Sequence, residues 1–428
     1  MDQTKNIRNF FTPDLANMGD TLVSKTKGDR VIWATVIILT LASLLLVYSS
    51  TGSLAYRMNK STESYLLKQF IFMTMGVLVI YFAHLINYTI YSRVALILFL
   101  ISIPLLIYTL LFGVKLNEGS RWITLPIINM TIQTSDLAKL ALFMYLSRQL
   151  SRKQAVIKDF KKGFLPIIIP VAIVCLLIAP ANLSTAILVA GTSLVLMFIG
   201  RINTKHILLT IGIAAIPIIF LISIASATYD SNKGEQKKLP AILEVGRIPT
   251  WIGRIQTFMY SKKDDNSDKM YQVNQAKIAI SNGGWLGKGP GRSEARNYLP
   301  HSYSDFIYAI IIEEYGIIGA AFMCCIYLLF LYRCIRIYRR CPYAFGAFLA
   351  LALSFTLVIQ AIANMGVNVN LFPNTGVTLP LVSMGGSSII FTCMAIGIIL
   401  SVSRNVEKLE GIAALQALKK NNETNPTK

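Results

Sequence analysis

Long apolar runs limit the fold of this chain more than any other feature of its sequence. A run of about 20 apolar residues crosses the hydrocarbon core of a bilayer as a helix, and lipid offers no partners to free backbone N–H and C=O groups. Charged residues make up only 14% of the chain, against about 25% in soluble domains. The sequence therefore predicts an all-α polytopic integral membrane protein with about ten transmembrane helices. The ten apolar runs lie near residues 31–50, 67–86, 94–113, 134–150, 164–180, 184–200, 207–226, 303–331, 343–367 and 384–403.

Basic residues in the short connections predict the orientation, because cytoplasmic loops are enriched in Lys and Arg. They cluster before the first run and after runs four, six and eight. These places share one side if ten helices alternate with both termini in the cytoplasm. The predicted parts are a cytoplasmic tail (1–30), a transmembrane domain (31–404) and a second cytoplasmic tail (405–428), which begins as an amphipathic helix and ends disordered. One long extracytoplasmic loop, 227–302, precedes helix eight.

The charge balance indicates the kind of partner. In a membrane protein, the net charge of +20 indicates contact with anionic membrane lipids rather than with nucleic acid. The long loop is basic as well, since 12 Lys and Arg against 7 Asp and Glu between residues 228 and 300 leave +5. An anionic ligand on the outer side explains this excess. The six cysteines lie outside the loop, so no disulfide framework is indicated.

The first polar stretch, 117–139, precedes and opens the fourth predicted helix. Arg121 is interpreted either as snorkelling beside an interfacial Trp122 or as a guanidinium available to phosphate. Thr134 or Ser135 is a candidate helix cap. Asp136 and Lys139 share a helix face at i,i+3, which predicts an ion pair, but charged groups inside a spanning helix also mark functional cavities.

The second stretch, 271–317, combines glycines, cations and acids. Five glycines fall between Gly283 and Gly291, interleaved with Lys288 and Arg292. They predict either a flexible turn or a backbone cradle for an anion. Asp305 follows at the predicted start of helix eight, as a helix cap or as a general base in a membrane-embedded cavity. Two deeper acids, Glu313 and Glu314, are costly there unless they are paired or wet.

The third stretch, 360–388, is rich in Pro, Gly and neutral polar residues. Its prolines and glycines predict a re-entrant or broken segment, or simply a turn between helices nine and ten. Side chains suited to hydrogen-bonding a sugar are Asn364, Asn368, Asn370, Asn374 and Thr375.

Together these stretches resemble the SEDS family (shape, elongation, division, sporulation) of FtsW- and RodA-type membrane proteins. The resemblance runs from Val31 to Arg404 and includes the ten-helix topology. The residues that match the family's patterns are Arg121, Trp122, Ile123, Gln133, Ser135, Lys139, Leu299, Pro300, Asp305, Phe306, Glu313, Glu314, Gly316, Pro373, Thr375, Gly376, Thr378, Leu379, Pro380, Ser383, Gly385, Gly386, Ser387 and Ser388. The departures are Thr134 for Pro, Asp136 for Glu, Asn182 for Asp, and His301 and Tyr303 for Glu and His.

This resemblance implies a peptidoglycan glycosyltransferase of the bacterial cytoplasmic membrane. It would polymerise lipid II, an undecaprenyl-pyrophosphoryl disaccharide-peptide, into glycan strands at the outer face. The partners implied are a class B penicillin-binding transpeptidase and other divisome proteins at the septum. The Glu-Glu-Tyr-Gly sequence and the longer tails favour the division type over the elongation type.

The resemblance makes Asp305 the catalytic residue. We expect it to take the proton from the acceptor sugar 4-hydroxyl while cations stabilise the leaving pyrophosphate. A divalent cation, Mg²⁺ or Mn²⁺, bridging Asp305 and the phosphates is left open, as are a lipid II flippase with a polar path through the membrane and a scaffold for the transpeptidase. The predicted substrate-binding residues are Arg121, Trp122, Gln133, Ser135, Lys139, Arg254, Lys288, Arg292, Asn368, Thr375, Thr378 and Ser387.

Overall fold

A computed structural model gives the fold of residues 28–116, 119–125, 130–230, 235–236, 247–260, 268–299 and 302–424. The chain in these ranges is almost entirely helical, with two small sheets at one end of the helix bundle. The helices are α1 (Arg30–Ser50), α2 (Gly52–Arg57), α3 (Thr62–Leu85), α4 (Tyr88–Phe112), α5 (Thr134–Arg152), α6 (Leu165–Ile178), α7 (Leu183–Ile199), α8 (Thr204–Ala227), α9 (Ile248–Met259), α10 (Asp268–Gly283), α11 (Ala295–Tyr298), α12 (Ile307–Arg340), α13 (Ala344–Asn368) and α14 (Ser387–Thr424). The strands are β1 (Val114–Leu116), β2 (Gly119–Leu125), β3 (Met130–Gln133), β4 (Tyr229–Asp230) and β5 (Glu235–Gln236).

A helix lies on each of the ten predicted apolar runs. Among the described residues, eight helices are long and apolar enough to cross a membrane, with α6 counted together with the π-helical turn before it as Phe160–Ile178. The other two are α7, which has 17 residues, and α5, which carries the charged residues Asp136, Lys139, Arg148 and Arg152. The predicted membrane class is therefore confirmed, whereas ten crossings and their orientation stay predictions.

The bundle is built around α13. Most residues of α13 are buried, because it packs against α12, α5, α7 and α14. The next ring pairs α14 with α3 and α4 with α5. By contrast, α8 buries little more than Ile207 and Ala225 and lies at the edge of the bundle. The apolar side chains that it exposes suit contact with lipid.

A three-stranded antiparallel sheet, in the order β1-β2-β3, covers one end of the bundle. Strand β3 leads directly into α5, and its register with β2 places Trp122 opposite Gln133. The sheet thereby brings part of the first polar stretch to the end of the bundle where α5, α7 and α14 begin and α13 ends.

The region 227–302, interpreted from the sequence as one long loop, contains the helices α9, α10 and α11. Two predictions about the elements need correction. The predicted run eight began at residue 303, whereas α12 begins at Ile307 and is interrupted at Gly316, which has φ 67° and ψ −169°. Finally, α14 continues to Thr424, so the second tail is helical for longer than its polar composition predicted.

Candidate active site

An open cavity of about 280 Å³ lies at the sheet-covered end of the bundle. Its walls come from β2, β3, α5, α7, α9, α13 and the irregular segment between α13 and α14. A cavity of this kind, walled by several elements and lined by convergent polar groups, is the usual form of a ligand site. Its polar lining includes Trp122, Gln133, Asp136, Lys139, Asn182, Thr185, Arg247, Arg254, Tyr303, Asp305, Gln360 and Thr378.

Asp305 lies in a turn just before α12 and borders this cavity. The N-cap of α12 is Phe306, whose side chain makes no cap hydrogen bond. Asp305 therefore does not occupy the N-cap position itself. Its Oδ2 atom would lie 3.4 Å from a Cβ added at Gly376, whose φ is +64°. A glycine with that backbone conformation leaves room beside the carboxylate.

The backbone around Asp305 is held by neighbouring elements. The Nδ2 atoms of Asn364 and Asn368, both on α13, donate to the Asp305 carbonyl at 2.9 Å. The Ser383 hydroxyl donates to the carbonyl of the preceding residue, Ser304, at 2.6 Å. These contacts fix the turn from two sides, so the carboxylate is held in place without belonging to a helix.

Asn368 has a different role from the predicted one. Its side chain is 1% exposed, and its Oδ1 accepts from the Ala309 N–H at 3.0 Å while its Nδ2 donates to backbone carbonyls. A buried amide engaged at both ends cannot also bind a sugar in the cavity. The prediction that Asn368 binds substrate is corrected: it positions the backbone of Asp305.

Tyr303 is an electrostatic neighbour of Asp305 in the cavity wall. Burial, and then the charge of Asp305, raise the pKa of the Tyr303 hydroxyl above its ordinary value. The phenol therefore stays protonated near neutral pH and remains able to donate a hydrogen bond. His301, the other departure from the family pattern in this segment, lies outside the described residues.

The predicted pair of Asp136 and Lys139 forms on α5. Lys139 Nζ lies 2.7 Å from Asp136 Oδ1, and both side chains are largely buried. Lys139 also donates to Gln360 Oε1 at 3.4 Å, and Gln360 Nε2 donates to the Thr378 carbonyl at 3.1 Å. Thus α5, α13 and the irregular segment are joined by one polar chain that lines the cavity.

Of the remaining predicted residues in and around the first stretch, some line the cavity and others bond to the residues that line it. Gln133 lines the cavity and donates through Nε2 to Ser135 Oγ at 2.9 Å. Its backbone N–H donates to Ser387 Oγ at 3.2 Å. Neither serine is among the cavity-lining residues, and no cap bond from Thr134 or Ser135 is present at the start of α5. Arg121 lies in β2, but its side chain is outside the described atoms, so its role stays a prediction.

The structure brings two arginines to the cavity. Arg254 was predicted, and it reaches the cavity from α9. Arg247, just before α9, also lines the cavity, is 8% exposed and donates to the Ala181 carbonyl. The sequence analysis counted Arg247 only in the charge of the long loop. Its single signal was the position before an amphipathic helix that begins with Ile-Pro.

Lys288 and Arg292 are not among the residues that line the cavity. Lys288 Nζ lies 3.2 Å from Glu294 and 3.5 Å from Glu313. Loss of hydration lowers the pKa of Lys288, but hydrogen bonds and charge from these two acids outweigh it and raise the pKa. In the structure the ammonium is paired with Glu294 and Glu313 and is not part of the cavity lining. A contact of either cation with substrate stays a prediction that this arrangement does not support.

The glycine-rich loop is bonded to α12 instead of cradling an anion. The N–H groups of Lys288 and Gly289 donate to the carbonyls of Glu313 and Glu314, both at 2.9 Å. A Cβ added at Gly287 would lie 2.2 Å from the Glu314 carbonyl oxygen. The glycines therefore allow two backbones to touch at the interruption of α12, and the cradle interpretation is wrong.

The two deep acids are held by this loop and by α1. Glu313 is fully buried and accepts from Ser293 Oγ at 2.5 Å and from the Ala295 N–H at 3.2 Å. Glu314 is 1% exposed and accepts from the Ser49 hydroxyl. Glu313 is therefore well supplied with donors, whereas Glu314 Oε2 is buried without a hydrogen-bond partner among the described residues.

Thr375 and Thr378 take different places in the irregular segment. Thr378 lines the cavity. Thr375 does not, and its Oγ1 is buried without a hydrogen-bond partner among the described residues. Of the predicted set, Asp305, Trp122, Gln133, Lys139, Arg254 and Thr378 share one cavity.

The sequence of the chain matches one family of known proteins and several of its members. The family described as "Cell cycle protein", whose name combines FtsW, RodA and SpoVE, matches residues 29–408. A probable peptidoglycan glycosyltransferase FtsW of Trichlorobacter lovleyi is 30% identical over 89% of this chain and 94% of its own. Stage V sporulation protein E of Bacillus subtilis is 30% identical over 89% of this chain and 98% of its own.

Solved structures share the fold. A chain in a structure described as a peptidoglycan synthase complex is 23% identical, with a TM-score of 0.66 over 89% of this chain and 98% of its own. The rod shape determining protein RodA of Thermus thermophilus is 22% identical, with a TM-score of 0.60 over 88% of this chain and 97% of its own.

Proposed function

Because the chain belongs to the FtsW/RodA/SpoVE family of cell cycle proteins, we propose that it is a peptidoglycan glycosyltransferase that polymerises lipid II. The single observation that carries this proposal is the cavity in which Asp305 faces a lining with two arginines and a Lys139–Asp136 pair. A lipid-linked sugar diphosphate needs a base for the acceptor, cations for the phosphates and an apolar entry for the tail. The cavity supplies the base and the cations, and the apolar side chains of Leu188 and Val189 on α7 line part of its wall.

The reaction we propose transfers the growing glycan to a new acceptor. The 4-hydroxyl oxygen of the acceptor sugar attacks the anomeric carbon of the donor, and its proton moves to the Asp305 carboxylate. The bond between that carbon and the lipid diphosphate oxygen breaks, and the diphosphate leaves with the electron pair. Arg247 and Arg254 stabilise the charge that develops on it, because preorganised cations are most effective in a site that excludes water.

The cavity offers two acids to a divalent cation. Of the described residues that line it, Asp136 and Asp305 are the acids, and Asp136 is already paired with Lys139. No group of three or more His, Cys, Asp or Glu among the described residues forms a metal site. Mg²⁺ is often held by one or two carboxylates together with substrate phosphates, so Asp305 would hold such an ion and the ion would supply charge to the diphosphate.

The relatives support a cellular setting for this activity. The name FtsW supports a role in septal wall synthesis, and the likeness to a chain of a peptidoglycan synthase complex supports a class B penicillin-binding transpeptidase as partner. Other divisome proteins are further proposed partners. We propose that the cavity opens at the outer face of the cytoplasmic membrane, with both termini inside. Rescue of cells depleted of the division protein, but not of cells depleted of the elongation protein, tests the division type.

The decisive experiment is polymerisation of purified lipid II in detergent, where a flippase or a scaffold makes no polymer. Asp305→Asn is expected to lower the rate by about 10²–10⁴-fold, as removal of a general base does. The control is Glu410→Gln, which changes an exposed acid 43% accessible to solvent. Wild-type rates from a folded Asp305→Asn protein would remove Asp305 from the chemistry.

A further inference from the structure

The tip of the glycine-rich loop carries two large apolar side chains in the open. Trp285 is 73% exposed and Leu286 is 78% exposed. Both follow Gly284 and precede Gly287, and neither is needed by the cavity. Adjacent exposed residues of this size indicate a surface with a partner of its own.

The backbone of the loop tip is bonded to α12. The Ile317 N–H donates to the Gly284 carbonyl at 3.0 Å, and the Ile318 N–H donates to the Trp285 carbonyl at 3.3 Å. Ile317 and Ile318 are themselves 46% and 56% exposed. The loop tip and the start of the second part of α12 therefore form one continuous apolar surface.

The depth of this surface follows from the length of α12. The part after Gly316 has 24 residues and measures about 36 Å at ~1.5 Å per residue. Its far end carries Arg336, Arg339 and Arg340, which belong at headgroup level. Counting about 20 residues back from there spans the hydrocarbon core and reaches Ile317. The loop tip thus lies at the edge of the core on the cavity side.

We propose that Trp285 and Leu286 insert into the leaflet on the cavity side and anchor the extracytoplasmic segment to phospholipid. Trp is favoured at this depth because its ring suits acyl chains and its N–H suits the wet ester region. The occupant is lipid because the surface continues directly into the lipid-facing side of α12. The nearest cation of the loop, Lys288, is bound to Glu294 and Glu313.

The anchor has a consequence for the active site. The loop backbone is bonded to Glu313, Glu314, Ile317 and Ile318, and the first part of α12 follows directly on the turn that holds Asp305. Insertion of the tip therefore sets the height of Asp305 relative to the membrane surface, where a lipid-linked diphosphate must lie. This role is independent of the identity of the sugar that is transferred.

The test is depth-dependent fluorescence quenching of the full chain in nanodiscs of phosphatidylcholine and phosphatidylglycerol. The signal of Trp285 is the difference between wild type and Trp285→Phe, which leaves Trp33, Trp122 and Trp251 unchanged. With lipids brominated near the carbonyl end of the acyl chains, the fluorescence contributed by Trp285 is expected to lose about half of its intensity. Aqueous acrylamide is expected to quench it weakly.

Leu286→Asp is the variant that should move the loop tip out of the membrane, since a carboxylate at the tip disfavours insertion. In the Leu286→Asp protein, brominated lipids should no longer quench the fluorescence of Trp285, and acrylamide should quench it more strongly. If acrylamide, but not bromolipid, quenches Trp285 in the wild type, the tip is in water and the proposal fails. If neither quenches it, protein covers the tip, and the proposal fails as well.

Discussion

The carbonyl oxygen of Asp305 receives two amide N–H donors from α13, one from Asn364 and one from Asn368. A catalytic side chain works only within a narrow range of positions, and a shift of about 1 Å can cost 10²-fold in rate. These two asparagines hold the main chain from which the carboxylate projects. They are therefore as important to the geometry as the residues that touch substrate.

Replacing Asn364 by Leu tests this positioning. Asn364 Nδ2 also donates to the Val377 carbonyl at 2.7 Å, so the change leaves that buried carbonyl without this donor, at a cost of about 1–3 kcal/mol. The Asp305 carbonyl keeps only the donor from Asn368. We expect kcat for polymerisation to fall while KM changes little, with a lower unfolding temperature in detergent. Asn405→Leu is the control, because Asn405 donates only to Ser401 within its own helix. Equal losses in the two variants would contradict a positioning role.

The pair of Asp136 and Lys139 gives a second prediction at this scale. Removing one partner of a buried pair costs about 3–5 kcal/mol because the other charge stays unpaired. Asp136→Leu and Lys139→Met should each lower the unfolding temperature, and the double variant should recover most of it. If Lys139 also binds substrate, the double variant regains stability without regaining activity.

Local spacing predicted this pair because both residues lie on one helix face. The same reasoning failed for Lys288 and Asn368, since their partners are distant in sequence: Asn368 binds a carbonyl 63 residues away. Arg247 was missed for a related reason. A count of charges in a loop shows that cations are present but not which of them faces the cavity.

At the scale of elements, the interruption of α12 is the feature that arranges the site. Tyr308 and Ala320, on opposite sides of Gly316, are joined by a hydrogen bond of 3.2 Å, which a straight helix with a rise of about 1.5 Å per residue does not allow. The first part of α12 is therefore turned against the second. The carbonyls released by the turn are satisfied by the glycine-rich loop.

Two glycines of that loop form a matched pair for a test. Gly287 and Gly291 have φ of +78° and +74°, but only at Gly287 would a Cβ meet backbone, whereas nothing lies within 4 Å at Gly291. Alanine at either site costs about 1 kcal/mol for the left-handed conformation. At Gly287, overpacking adds about 1–3 kcal/mol.

Gly287→Ala is accordingly expected to lower both the unfolding temperature and the polymerisation rate, and Gly291→Ala only slightly. Thermal unfolding in detergent and the lipid II assay measure these effects. Indistinguishable behaviour of the two variants would show that the close approach to α12 has no importance. The apolar run alone could not reveal the interruption, because the groups that satisfy it come from an earlier part of the chain.

At the scale of the whole molecule, Asp29 joins three helices at the end of the bundle opposite the cavity. Its carboxylate caps α1 through the Val31 N–H at 2.9 Å and accepts from Arg333 Nε of α12 at 2.7 Å, and its own N–H donates to Ser403 of α14 at 3.0 Å. Three helices that are far apart in sequence meet at this one residue.

Arg333→Met is expected to destabilise the protein by about 3 kcal/mol, because it leaves the Asp29 carboxylate, 6% exposed, without its cation. The comparison is Arg340→Met, which breaks the pair of Arg340 with Glu410. Both side chains of that pair are more than 40% exposed, so about 0–1 kcal/mol is expected. Unfolding in detergent followed by fluorescence measures both, and a larger loss at Arg340 would reverse the assignment.

The membrane class and the helix on each apolar run were predictable from hydropathy, since lipid imposes helices on apolar segments. The small sheet and the three helices of the long loop were not, because short elements in polar sequence depend on contacts with the bundle. The cavity itself depends on the arrangement of distant segments, which periodicity does not encode.

The bonding of the glycine-rich loop to α12 also has a consequence for synthesis of the protein. The loop leaves the ribosome before the residues that it binds, so Gly284 and Trp285 are synthesised before their partners Ile317 and Ile318. Because lipid offers no partners to unpaired N–H and C=O groups, the interruption of α12 requires the loop to be in place. A chain that lacks the loop is therefore expected to lose the geometry of the active site.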